Sequence, residues 1–91
     1  MPMNAEMRGK VMMAWRICEL LSRHAYSGMP EARLFLAILL QAVYDSVVAH
    51  GLVKHRAVNY FKYDGHYWIC DLIGLCPIWV SEIMRDHAGI K

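Results

Sequence analysis

The 91-residue chain holds no G-x-S-x-G, P-loop or G-x-G-x-x-G motif. The usual nucleophile elbow and phosphate-cradling loops are therefore missing, and no enzymatic activity or cofactor is expected. Cysteine is scarce and odd in number: the three are Cys18, Cys70 and Cys76. An odd set does not build a disulfide framework, which points to reduced thiols in a cytoplasm. The opening Met1-Pro2-Met3-Asn4-Ala5-Glu6 has no charged segment followed by an apolar one, as a secretory leader would. The longest apolar run, Leu34 to Tyr44 interrupted by Gln41, is about eleven residues, short of the ~20 that a membrane helix needs. Charge is sparse as well. Asp, Glu, Lys and Arg make up 20% of the chain and leave a net charge of +2, a weak pull on any polyanion.

Apolar residues are abundant, at 57% against the usual ~45–50%. A single domain this small cannot bury all of them, so some apolar surface is expected to meet a partner or a second copy. The distribution predicts an all-α fold, a small bundle of about five helices in one domain over residues 1–91. A first helix from about Asn4 to His24 has a good N-cap in Asn4. Its broad apolar face comprises Met12, Trp15, Ile17, Cys18, Leu20 and Leu21. Ser27-Gly28 breaks it and Pro30-Glu31 opens the next. That second helix, about Pro30 to His50, is apolar on nearly all sides and is expected at the centre, wrapped by the others. Leu36 and Leu40 lie off its main stripe and are the expected contacts of a homodimer. Gly51 is expected to end it. A short third helix over Lys54–Lys62 turns Ala57, Val58 and Phe61 inward, and Asp64-Gly65 makes a turn. Ala88 to Lys91 reads as a fraying tail.

The last third carries the clearest local pattern. Gly74 sits where a helix through Ile69 and Ile73 must stop, and Pro77 suits the first position of the next. Ile69 and Ile73 share one helical face, Val80 and Ile83 another, and a small residue, Cys70, marks the closest crossing. The stretch IGLCPIWVSEI is similar to the turn of helix-turn-helix proteins, over about residues 66–87. The wider half, through Ala57, Tyr60, Phe61, Ile69, Cys70, Leu72, Gly74, Leu75, Pro77, Trp79 and Val80, resembles a type of small phage or prophage protein.

The resemblance implies two functions of different class. In the first, a DNA-binding transcriptional regulator lays its last helix in the major groove of double-stranded DNA. The outward positions carried over are Cys76, Pro77, Ile78, Ser81, Glu82 and Arg85, with Lys54, Arg56 and Lys62 on phosphates. In the second, Ile78, Trp79 and Glu82 contact a host protein, as in phage-type inhibitors such as anti-CRISPRs, because this helix is more apolar than a base reader normally is. His66, Cys70, Cys76 and His87 do not match a zinc-finger spacing. No metal site is expected there, and the reading is of core cysteines with surface histidines.

Overall fold

The computed structural model describes residues 4–26 and 28–90. Five helices follow in order: α1 (Ala5–His24), α2 (Pro30–Val48), α3 (Gly51–Lys62), α4 (Tyr67–Leu72) and α5 (Pro77–Ala88). No strand occurs among the described residues. The Asn4 side chain caps α1 by accepting from the Met7 N–H at 2.7 Å, which satisfies one of the orphan donors of the first turn. The expected break at Ser27 lies outside the described residues.

Helix α2 touches each of the other four, so the bundle is built around it. Ala32, Leu39, Val43 and Val47 are buried at helical spacing and form its inner stripe. The core adds Ile17 and Leu21 from α1, Phe61 from α3, and Ile69, Ile73, Val80, Ile83 and Met84 from the C-terminal third.

Several boundaries and faces differ from the sequence expectation. Helix α2 stops at Val48, where Ala49 is extended (φ −68°, ψ 169°). Gly51 opens α3 with φ +61° and does not close α2. Ile90 is not frayed, because Gly89 turns left-handed and folds it back into the core. On α1 only Ala14, Ile17 and Leu21 are buried, while Met12 and Trp15 are exposed. That face is too broad for the two helices, α2 and α5, that cover it. Nor is α2 wrapped: Leu34, Ala37, Ile38, Gln41 and Tyr44 face outward. Four helices on one side leave the opposite ridge of a 19-residue helix bare. Leu36 and Leu40 are half-buried against the core and do not stand free on the surface.

Gly74 behaves as its position requires, with φ +73°. The Leu75 N–H reaches back to the Cys70 carbonyl at 2.9 Å, closing α4. A Cβ at residue 74 would lie 3.7 Å from the Cβ of Tyr26, an ordinary contact. The cost of Gly74→Ala is thus confined to the backbone. Urea denaturation should show a loss of about 1–2 kcal/mol, the penalty of an L-residue in the left-handed region.

Candidate nucleic-acid interface

The α4–α5 corner is assembled from opposing apolar faces. Ile69, Cys70 and Ile73 on one side and Val80, Ile83 and Met84 on the other are all buried, so the small Cys70 lies inside the packed corner. Burial pushes the Cys70 thiol up to about 11, with the charges of Asp71 and Cys76 adding to it. Cys18 is also raised by burial, and its Sγ faces the Leu40 carbonyl at 3.8 Å. Both remain protonated at neutral pH and act as packing groups.

His66 fixes the start of α5, and its burial was not foreseen. The ring is fully buried, not at the surface. It lies 5.1 Å from the Phe61 ring and 5.0 Å from the Tyr67 ring, centroid to centroid. Its Nε2 lies 2.8 Å from Ser81 Oγ and 3.2 Å from the Pro77 carbonyl. Ser81 already donates to that carbonyl at 3.0 Å. Two acceptors then converge on Nε2, which carries the proton and donates. Nδ1 is left as a buried acceptor without a partner. Burial lowers the affinity of the ring for a second proton, against the opposing pull of the Pro77 and Tyr60 carbonyls and Asp64. The Tyr60 hydroxyl is likewise buried and unpartnered.

The ten residues singled out from the sequence divide among several surroundings. Lys54 and Lys62, eight residues apart on α3, share one face with Val58. They line a cavity of about 460 Å³ together with Lys10 of α1, and no carboxylate is among its lining residues. Lys10 reaches Glu6 at 3.6 Å, an exposed pair of little strength. A neighbouring cleft of about 270 Å³ gathers Lys62, Ile78, Ser81, Glu82 and Arg85, beside Asp64 and Tyr67. Lys62 and Ile90 border both, so the two form one continuous surface.

Four positions depart from the expected arrangement. Arg56 lies two residues from Lys54, about 200° around the helix, and lines a different cavity with Ile38, Asp45 and Val53. Ser81 is turned inward onto His66. Pro77 is half-buried in the corner. Trp79 is half-buried, with its ring 5.0 Å from that of His24. Cys76, Ile78, Glu82 and Arg85 do face outward, and Arg85 lies 3.8 Å from Asp86. His87 lines a groove against α1, away from His66, and no group of three metal-ligating side chains occurs among the described residues. No helix among them is long and apolar enough to cross a membrane. Comparison with protein-family models, curated proteins and solved structures finds no match to this chain.

Proposed function

We propose that the chain is a small DNA-binding regulator that uses its C-terminal corner as a helix-turn-helix. The observation that carries this reading is the convergence of three lysines, Lys10, Lys54 and Lys62, beside the cleft formed by the exposed side of α5. Phosphate contacts set the position of a reading helix, and base edges are then within reach of its outward residues. Arg85 and Glu82 are the polar groups available for that, toward guanine and cytosine respectively. Ser81 supports the helix through His66 and is no base contact. The phage-type resemblance of the wider C-terminal half, from Ala57 to Val80, fits a regulator of this size.

Binding to a random DNA duplex, followed by fluorescence anisotropy as salt is raised, tests the proposal. Each phosphate neutralised contributes roughly 0.9 to the slope of log affinity on log salt. Lys54→Ala/Lys62→Ala should flatten that slope by about 2, whereas Arg56→Ala, on the other side of α3, should leave it unchanged. Absence of binding even at low salt would sink the reading.

A second reading, a phage-type inhibitor that contacts a host protein, is favoured by a separate observation. Trp68 and Leu72 on α4 and Ile78 on α5 are all exposed, and aromatic anchors are enriched at protein interfaces. Glu82 and Asp86 also place two acids on the outward side of α5, where phosphate would be repelled. Under this reading Trp68→Ala and Ile78→Ala abolish capture of the partner, and the lysine changes do not.

A further inference from the structure

We infer that the bare ridge of α2 is the interface of a symmetric homodimer, formed by two antiparallel copies of that helix. The ridge consists of Leu34, Ala37, Ile38, Gln41 and Tyr44, spaced by three or four residues along one face. No charged residue occurs between Arg33 and Asp45, so a run of about three turns presents nothing that must stay in water. Two grooves flank it. One, of about 350 Å³, is bounded by Trp15, Ala37, Leu40 and Tyr44, and the other, of about 440 Å³, by Ile38, Val53 and Arg56. A ridge with a groove on either side is what two helices need to interlock.

The area argues for a second copy of this chain. Trp15 is 68% exposed, Leu34 62%, Val53 54%, Ile38 45% and Tyr44 38%. With Ala37 and Gln41, those exposed fractions amount to about 600 Å², most of the ~800 Å² that each partner contributes to a stable interface. That lies at the top of the ~300–600 Å² range of the largest patch on a monomer, where such patches are often functional. Symmetry supplies the rest. In an antiparallel pair centred at Ile38, Glu31 of one copy comes level with Asp45 of the other, because residues equally far from the centre share a height, and Arg56 of α3 lines the groove beside that Asp45. The opposed helix dipoles attract. The small Ala37 lets the backbones approach, and the Gln41 amide on the ridge is held in its own helix by donating to Asp45 at 2.9 Å. This surface lies on α2 and the adjoining sides of α1 and α3 and includes none of the residues that the proposed function places on DNA, so the dimer stands or falls apart from that function.

Sedimentation or light scattering of the full chain, without DNA, gives the molar mass. The wild type should run near twice its 10.5 kDa at about 100 μM, within reach of ordinary dimer affinities. Ile38→Glu places a charge at the centre of the ridge and should return the protein to monomer with its helical circular dichroism intact, since Ile38 is not a core residue. Ile78→Glu, on α5, serves as the control and should remain dimeric. A wild type that stays monomeric at that concentration, or an Ile38→Glu protein that stays dimeric, overturns the inference; a monomer would leave the ridge to a different protein.

Discussion

Replacing Leu39 by Ala should unfold the protein at a temperature about 15 °C below that of the wild type, a loss of roughly 3 kcal/mol. Leu39 is fully buried in the middle of α2, the helix on which every other element rests. Truncation removes three carbons of apolar burial and leaves a void that a tightly packed centre cannot close. Comparable core changes cost about 2–5 kcal/mol. A domain of this size has only about 5–15 kcal/mol in hand, so the effect is a large part of its stability. Leu52→Ala on α3 is the matched control. Leu52 is exposed, and its truncation should change stability by no more than about 0.5 kcal/mol. Thermal melts of both variants at one protein concentration check the pair, because an associating chain melts in a concentration-dependent way. Equal losses at positions 39 and 52 would contradict the placement of α2 at the centre.

Mild acid should weaken the fold through His66. The unfolded ring takes its proton near pH 6.5. In the folded protein desolvation holds the affinity of the ring lower, and the carbonyls of Pro77 and Tyr60 and the charge of Asp64 only partly offset it. Between the two values the unfolded chain binds more protons than the folded one, so stability rises with pH across that window. The contribution is fully present above about pH 7.5 and is lost as pH falls below about 6.5, at roughly 1.4 kcal/mol for each unit of separation. Chemical denaturation at pH 7.5, 6.5 and 5.5 should therefore show a declining midpoint. His66→Phe keeps a ring among Phe61 and Tyr67 and removes the titrating nitrogen. It should lower stability at pH 7.5 by breaking the Nε2–Ser81 hydrogen bond, and it should flatten the pH dependence. A wild-type midpoint that does not move would mean that the ring is not held neutral.

The local signals in the sequence were those whose causes are local. Asn4 caps α1 because its side chain needs only the N–H three residues on. Gly74 and Pro77 mark the corner because a left-handed residue and a missing N–H are each tolerated at one kind of position. The pairs Ile69/Ile73 and Val80/Ile83 were readable from spacing and are buried. The departures have tertiary causes. Hydrophobicity alone does not tell which side of α2 lacks a neighbour, so the whole helix reads as wrapped and Leu36 and Leu40 as its dimer contacts. Nothing within α1 marks Lys10 as a companion of Lys54 and Lys62, since packing of the bundle brings it there. The burial of His66 depends on Ser81 and Pro77, fifteen and eleven residues away. The position of Arg56 was within reach of the sequence: a two-residue offset from Lys54 already sends it to the far side of a helix.

One backbone hydrogen bond ties the two ends of this architecture together. The N–H of Tyr26, just after α1, donates to the carbonyl of Ile73 at the close of α4, at 2.7 Å. With six residues, α4 is far below the length at which a helix holds itself in water. Its termination therefore borrows a donor from the end of α1, more than forty residues earlier in the chain, and its buried side rests on α2. A peptide cut out at residues 63–90 would lack both supports and would collapse to a coil. That bond spans more than forty residues of chain, so making it carries the entropic cost of closing the loop. The surface on α5 is thus a product of the completed fold and not a transplantable part.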